Sequence, residues 1–409
     1  MHDANTIAAR QNLWNKDFII VALANLLLFM VFEMLLPTLP VFISNNGGDS
    51  SQVGLIMGAF TFSAIFIRLL TGRISHTINK KSLLILGITG CMVATSFYYW
   101  STSNLSTLAI RLLQGLGFGV ATTLYTTFAA AVIPASRRGE GIGYFGVGET
   151  MGISVGPFVG IWFMNQHGID SVFGVGTLIL LVAVLITFAV SRPLTTEDET
   201  VPFQRDIQQK DSLIDLFIEK RVLLQSSLAF LLGMSFAGIV SFVVLYAKEA
   251  AIPNVVYFFF VNALAGLLVR FVAGKIFDHK GPGVLIGASA ILCSIGTFLL
   301  ATASTTTSLI IAAVLYGSGT GAVFPALQAW CINVVPTDRR EHAIGTFFNF
   351  FDLGIGIGAI LMGAIAAMTN YSIMYMSSIL LFVVYWLLYQ IFGSGQNSLS
   401  AVIHKMDET

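Results

Sequence analysis

Six ionisable side chains stand within, or at the ends of, long apolar segments of this 409-residue chain. They are Glu33, Arg68, Arg111, Glu149, Arg270 and Asp352. A charge in hydrocarbon costs at least about 2.5–3.5 kcal/mol on insertion scales, so such groups face a protein interior or pair with one another. Carboxylates in this setting can load and release protons, and guanidinium groups can hold anions or set the charge of a carboxylate.

Glu33 and Arg111 form the pair with the clearest chemistry. Each lies a similar number of residues from the outer end of its apolar segment, so an ion pair between them is feasible. Burial favours the neutral acid at Glu33, whereas Arg111 favours the carboxylate, and a group balanced in this way can exchange a proton. The alternative is a structural ion pair. Arg111 keeps its proton, so it either tunes Glu33, holds an anionic ligand or clamps backbone carbonyls.

Two further carboxylates have two interpretations each. Glu149 is either a second protonation or cation-recognition site, or a neutral carboxyl hydrogen-bonded across a close contact between the fifth and eighth apolar segments. Asp352 lies one turn after Asn349 and roughly opposite a pair of glycines, so it either faces a cavity or packs structurally. Arg68 and Arg270 lie at segment ends, where snorkelling to the membrane surface explains them.

Composition identifies the elements that must position these groups. Hydrophobic residues make up 56% of the chain, charged residues 10%, and the mean hydropathy is +0.82. Soluble domains carry about 25% charge, so we expect an all-α integral membrane protein. Spans of about 20 residues predict twelve transmembrane helices, at residues 17–42, 52–73, 82–101, 105–133, 140–164, 170–191, 222–248, 254–275, 283–303, 307–334, 342–367 and 372–393.

The distribution of Lys and Arg predicts the orientation. With the N-terminus inside, the predicted inner segments carry the basic residues, and only Lys248 lies near an outer helix end. Both termini are therefore expected in the cytoplasm of a multi-pass protein of the plasma or inner membrane. We divide the chain into a six-helix bundle at 1–191, a linker with an amphipathic helix at 192–220, a second bundle at 221–393 and a tail at 394–409.

The two predicted bundles repeat one another at a constant shift of 202 residues. Arg68 falls on Arg270, Gly115 on Gly317, and the pair Arg137-Arg138 on Arg339-Arg340. The segment PASRRGEGIG likewise falls on PTDRREHAIG. Duplicated halves of this kind suit alternating access to a central site.

One predicted span combines glycines with a helix-breaking proline. The segment GYFGVGETMGISVGPFVG carries Gly143, Gly152, Gly156, Pro157 and Gly160. Gly152, Gly156 and Gly160 recur every four residues, so they form a smooth stripe on which another helix can pack closely. Gly143 stands about half a turn off this stripe and is expected to serve the cytoplasmic end of the helix.

These motifs resemble those of the major facilitator superfamily, in its twelve-helix drug:proton antiporter branch. The glycine-proline segment is similar to the antiporter signature of the fifth helix, although Ile161 stands where a second terminal Gly is common. The pattern Leu108-x2-Arg111-x2-Gln114-Gly115-x-Gly117 resembles the fourth-helix signature, and Glu33-x3-Pro37-x2-Pro40 the first-helix signature.

The loops between predicted spans depart from the family pattern in the first half. That pattern carries Asp, Arg and a second Gly where this chain has His76, Thr77 and Asn79, and the second half keeps Asp278 and Gly281. We expect Asp278 to be the N-cap of the ninth helix. Together, the expected gating loops contain Gly72, His76, Lys80, Lys81, Gly274, Asp278 and Gly281.

The resemblance implies a proton-coupled exporter of small amphipathic molecules, with Glu33, Arg111, Glu149 and Asp352 as coupling or substrate residues. Two alternatives stay open: a dedicated exporter of one polar metabolite, such as a metallophore, sugar or amino acid, and a proton-coupled importer. An enzyme is disfavoured because no nucleophile or phosphate-loop motif is present. The expected partners are substrate, protons and the lipid bilayer. No cofactor, metal or nucleic acid is expected, and we expect a monomer.

Overall fold

The computed structural model describes residues 13–134, 137–191, 219–336 and 339–407. The described residues form twelve α-helices: α1 (Lys16–Asn45), α2 (Ser50–Thr77), α3 (Lys80–Phe97), α4 (Asn104–Val132), α5 (Arg138–His167), α6 (Ile169–Phe188), α7 (Leu223–Glu249), α8 (Val256–Lys280), α9 (Pro282–Ala301), α10 (Thr306–Asn333), α11 (Arg340–Met368) and α12 (Tyr371–Asp407). Short 3₁₀ turns at Tyr98–Trp100 and Lys220–Val222 accompany them.

All twelve helices contain a segment long and apolar enough to cross a membrane. The predicted number of spans and the all-α membrane fold class are therefore confirmed. Several helices extend past the predicted spans, because backbone hydrogen bonding continues into polar residues that hydropathy does not count. The predicted amphipathic helix of the linker lies outside the described residues, except for its end at the Lys220–Val222 turn.

The chain forms two compact units. The first contains the described residues up to Thr38 and from Phe62 to Ser191. The second contains Leu39–Thr61 together with the described residues from Glu219 onward. Within this second unit the N-terminal half of α2 packs on α11, where Gly54 and Gly58 face the backbone of Ala359 and Gly356.

The 202-residue repeat recurs in the packing of each unit. On α4, Gly117 faces Cys91 of α3, and on α10 Gly319 faces Cys293 of α9. Helix α4 begins with a capping box of Ser103 and Ser106, and α10 with one of Thr305 and Ser308. These pairs stand at equivalent positions, so each half builds its helix pair from the same local signals.

One cap is placed differently from the expectation. The structure ends α8 at Lys280 and starts α9 at Pro282, with Gly281 between them as the N-cap of α9. Gly281 has φ +74 and Asp278 lies inside the last turn of α8. The prediction of Asp278 as the N-cap of the ninth helix is therefore wrong. A glycine can reverse the chain in this left-handed conformation without a steric penalty.

Candidate functional site

One face of α1 carries the polar and aromatic residues of the candidate site. Asn25, Phe29, Phe32 and Glu33 follow one another at helical spacing, so they project from one side of the helix. Asn25 is 1% exposed and Glu33 is 4% exposed, whereas both phenylalanines are half-buried. Helix α1 therefore presents two buried polar groups with aromatic rings between them.

Glu33 is buried with an unmet hydrogen-bonding atom. Its Oε2 atom has no hydrogen-bond partner among the described residues. Arg111 of α4 is also buried, and its guanidinium carbon lies 5.8 Å from the ring centroid of Phe32, the residue before Glu33. The structure thus brings the first and fourth helices together, with Glu33 and Arg111 both buried in the first unit.

Arg111 belongs to a buried network on α3 and α4. It is 0% exposed, and its Nη1 donates to Oε1 of Gln114 at 2.8 Å. The hydroxyl of Tyr98 donates to the same Oε1 at 3.0 Å and also hydrogen-bonds Arg111. The Nε2 of Gln114 donates to Thr95 Oγ1 at 2.9 Å. A planar guanidinium held by several directed bonds is fixed in position more firmly than a lysine would be.

Aromatic rings surround the guanidinium. The Arg111 guanidinium carbon lies 5.8 Å from the ring centroid of Phe32, within the range of a cation–π interaction. Phe118 on α4 lies 4.9 Å from Phe32 and 5.4 Å from Phe29, centroid to centroid. The guanidinium therefore has an aromatic ring beside it in addition to its polar partner Gln114.

The glycine stripe of α5 packs on α1. A Cβ atom on Gly156 would lie 2.6 Å from the carbonyl oxygen of Met30 and 2.7 Å from Cβ of Glu33. One on Gly152 would lie 3.0 Å from the carbonyl oxygen of Leu26, and one on Gly160 would lie 2.6 Å from that of Met34. The close approach expected of this stripe is present. The closest neighbours of these three glycines belong to α1, whereas one interpretation of Glu149 had assumed a contact with the eighth helix.

The proline and the outlying glycine of α5 also have defined surroundings. Pro157 is buried inside α5, which continues through it. A Cβ on Gly143 would meet nothing within 4 Å, in agreement with its predicted position off the stripe. Other helices also contain prolines, since Pro37 and Pro40 lie inside α1 and Pro325 lies inside α10.

Glu149 is linked to α1 by a hydrogen bond. The Nδ2 of Asn25 donates to Oε1 of Glu149 at 3.0 Å, and Glu149 is half-exposed. The Oδ1 of Asn25 is buried and has no hydrogen-bond partner among the described residues. Gly148 and Gly152 stand on either side of Glu149 in the sequence and hold α5 against α1.

Asn25 was not identified from the sequence. A single amide in an apolar segment is a weak signal, since an amide carries no net charge and is tolerated in many helix contacts. Its spacing from Glu33, eight residues or about two turns, is the pattern that would have found it.

The second unit repeats the helix contacts of the first, but the side chains at these contacts differ. Gly354 and Gly358 of α11 pack on the backbone of Phe230 and Met234 in α7. Asp352 is half-exposed on the same helix. Next to it, Phe324 lies 4.8 Å from Phe351 and 5.3 Å from Phe347, and Phe236 lies 6.2 Å from Phe351, all between ring centroids. This set of rings is called the aromatic cluster below.

The expected gating-loop residues lie around the junction of α2 with α3 and the junction of α8 with α9. Lys81 Nζ donates to the carbonyl oxygens of Phe188 at 2.9 Å and Val190 at 2.6 Å, so it binds the C-terminal end of α6. Asn79, which replaces the family glycine, is the N-cap of α3 and accepts from the backbone N–H of Lys81 and Ser82. Gly72 and Gly274 each have open space where a Cβ would stand.

Three further residues lie near the junction of α2 and α3. The side chain of His76 lies outside the described residues. Lys80 opens α3. Arg68 reaches Thr122 Oγ1 of α4 at 3.5 Å, so it contacts a neighbouring helix as well as standing near the helix end.

Known proteins share this arrangement of helices and motifs. The chain matches the family model described as Major Facilitator Superfamily at residues 21–359 and 278–398. It is similar to the staphylopine export protein of Staphylococcus aureus, with 24% identity over 88% of this chain and 91% of that protein. The multi-drug resistance efflux pump PmrA of Streptococcus pneumoniae is 24% identical over 88% of this chain and 91% of its own length.

Solved structures share the fold. The nucleoside transporter NupG aligns with a TM-score of 0.74 and 15% identity over 92% of this chain and 98% of that one. The human organic anion transporter MFSD10 aligns with a TM-score of 0.63 and 18% identity over 91% of this chain and 98% of that one. At these identities the likeness is one of fold alone.

Proposed function

Because this chain belongs to the Major Facilitator Superfamily of multi-pass membrane transporters, we propose that it is a proton-coupled exporter of small amphipathic molecules. Glu33 carries the exchanged proton in this proposal, and Arg111 adjusts the balance between its acid and carboxylate forms. The single observation that carries the proposal is a buried carboxyl on α1 beside a buried guanidinium on α4, whose central carbon lies 5.8 Å from the ring centroid of Phe32, the residue before Glu33.

Opposing influences on Glu33 make it suited to proton exchange. Burial favours the neutral acid, and the Oε2 atom with no donor adds to that preference. The Arg111 charge acts in the opposite sense. A movement of α1 relative to α4, or the entry of water, would change this balance, so the proton would be loaded on one side of the membrane and released on the other.

The direction of transport rests on the relatives. The matches to a staphylopine export protein and to a multi-drug resistance efflux pump each cover about nine tenths of the relative's length. In the proposed cycle substrate enters from the cytoplasm or the inner leaflet, and protons from outside load Glu33 as substrate leaves. The proton gradient then drives the transporter back to its starting conformation. Both termini are placed in the cytoplasm of the plasma or inner membrane, and the working unit is a monomer of two six-helix bundles.

Export of one polar metabolite is the second candidate. The hydrogen bond between Asn25 and Glu149 supplies a polar feature that a purely lipophilic cavity would not need. The staphylopine export protein, a relative at 24% identity, is named for a single substrate.

Transport into inside-out membrane vesicles with an imposed pH gradient tests the proposal. A panel of lipophilic amines, dyes and polar metabolites would be offered, with and without a protonophore. Gradient-dependent accumulation of several amphipathic compounds supports the proposal, and accumulation of a single polar compound favours the second candidate. Accumulation that ignores the gradient and the protonophore would contradict proton coupling.

A further inference from the structure

The contact between α1 and α5 holds a polar pair that the coupling step does not use. Asn25 donates from Nδ2 to Glu149 Oε1 at 3.0 Å. Gly148 and Gly152 of α5 face Ala22, Leu26 and Met30 of α1, so the two backbones keep this pair at a fixed separation. The pair therefore lies at a rigid helix contact rather than on a loop.

The chemistry of the pair is that of an acceptor site. The amide turns its NH₂ group toward the carboxylate because two oxygen atoms would repel each other. This leaves Asn25 Oδ1 buried and without a hydrogen-bond partner among the described residues, in a side chain that is 1% exposed. Carboxylate and carbonyl both accept hydrogen bonds, so a ligand that satisfies them must supply N–H or O–H donors.

We propose that Asn25 and Glu149 form a substrate subsite that selects cations carrying N–H groups over cations without them. The negative carboxylate attracts a protonated amine or guanidinium, and Glu149 is half-exposed and so can be reached first. The charge of the bound cation is held by Glu149 and displaces the Asn25 amide from the carboxylate, so the amide is free to rotate about Cβ–Cγ. Its Oδ1 then accepts the ligand's N–H, a hydrogen bond that a quaternary ammonium cannot donate. This subsite refines the proposed export function and depends on it for its physiological meaning.

The rest of the α1 face fits the apolar part of such a ligand. Phe29 and Phe32 stand one and two turns beyond Asn25 and are half-buried. Phe29 packs against Phe118, 5.4 Å away between centroids. Arg111 lies over Phe32 and disfavours a second cation at that end. A ligand would thus place its amine at Asn25 and its aromatic body toward Phe29, over roughly 10 Å of helix.

Binding of a matched pair of probes tests the subsite. The probes are imipramine, a tertiary amine that is protonated at neutral pH, and its N-methyl quaternary derivative. Their affinities for the full-length protein in lipid nanodiscs would be measured by calorimetry at one pH without a gradient. We expect the unaltered protein to prefer the N–H cation by about 10- to 100-fold, the range of one charge-assisted hydrogen bond.

Variants separate the roles of the two residues. Asn25→Leu should bring imipramine down to the affinity of the quaternary compound and leave the latter nearly unchanged, and Asn25→Ser, whose hydroxyl both donates and accepts, should keep most of the preference. Glu149→Gln should weaken both probes. Asn165→Leu, at an exposed position of α5, is the matched control. Should Asn25→Leu fail to fold by gel filtration, Asn25→Ala takes its place.

Two results would overturn the subsite: no preference in the unaltered protein, or equal weakening of both probes by Asn25→Leu and Asn25→Ala. Since binding is measured without a gradient, a failure of proton-driven export leaves this test unaffected. Likewise, proton-driven export can persist when the preference for N–H cations is absent, so the two proposals fail separately.

Discussion

Around the α3–α4 contact of the first unit and the α9–α10 contact of the second, the same backbone approach encloses different side chains. Cys91 donates to the carbonyl oxygen of Gln114, and Cys293 donates to that of Tyr316, its equivalent under the repeat. Arg111 corresponds in this repeat to Ala313, which is fully buried. The two halves share this helix contact, whereas the buried guanidinium at the contact occurs in the first half alone.

The same contrast holds at the glycine stripes. Gly152 faces Leu26 and Gly354 faces Phe230, which stands 204 residues after Leu26. With that shift, Asn25 and Glu33 correspond to Ala229 and Ala237, both buried. With the 202-residue shift, Glu149 corresponds to Phe351 of the aromatic cluster. At these positions the first unit carries polar and ionisable side chains, whereas the second carries alanines and an aromatic ring.

The largest difference is expected on removing the buried base. Arg111→Ala leaves Glu33 without its charged neighbour and removes one of the two donors to Gln114 Oε1, and loss of one partner of a buried pair costs about 3–5 kcal/mol. Ala313→Gly at the equivalent position should cost about 1 kcal/mol or less in addition to the cost of the lower helix propensity of glycine. Thermal unfolding of both variants in detergent measures this. Equal melting temperatures for the two variants would contradict the predicted difference between the two units.

The glycine stripes should instead behave alike in the two units. Gly156→Leu and Gly358→Leu each force a side chain into a helix backbone, and overpacking costs about 1–3 kcal/mol. We expect transport in vesicles to fall strongly in both. Gly174→Leu, on a glycine of α6 with open space around its Cβ position, is the control. A large loss in only one unit would show that the stripes do not have a shared role.

A smaller contrast is expected at the tyrosines of the two helix pairs. Tyr98→Phe removes a 3.0 Å hydrogen bond to Gln114 and one to Arg111, and should cost about 1–2 kcal/mol. Tyr316→Phe removes only a longer 3.3 Å contact with Ser235 and should cost about half of that. Gradient-driven transport should fall in the first variant alone. Loss of coupling in Tyr316→Phe would place proton chemistry in the second unit as well.

The smallest effect on gradient-driven transport is expected in the aromatic cluster. Phe324→Leu keeps an apolar side chain but removes three ring contacts, worth about 0.5–1.5 kcal/mol each beyond area burial. We expect relative rates among aromatic substrates to change while the response to the pH gradient stays the same. A changed gradient response would contradict the division of labour between the units.

Much of this fold follows from the sequence because hydrocarbon imposes simple rules on it. Twelve apolar spans and the 202-residue repeat are visible in the residues, and charges such as Glu33 and Arg111 stand out where burial is costly. Helical spacing also shows which glycines share a face. It does not show which helix lies against that face, so the packing of the stripe on α1 could not be predicted.

The remaining features depend on tertiary contacts that leave little trace in one sequence. Asn25 becomes meaningful only when α5 brings Glu149 within 3.0 Å of it. Asp278 looks like an N-cap by type, but Gly281 ends α8 with a positive φ and takes the cap position itself. Asn79 departs from the family motif and yet caps α3 with its own side chain.

The central claim is that Glu33 carries the proton. It is tested most directly by Glu33→Gln in proteoliposomes, with gradient-driven efflux and substrate exchange at equal pH measured on the same preparation. The amide keeps the size of the side chain but cannot exchange a proton. Asp170→Asn, an exposed carboxylate at the start of α6, is the matched control. We predict that Glu33→Gln loses gradient-driven efflux and retains exchange, whereas gradient-driven efflux at the rate of the unaltered protein would contradict the account.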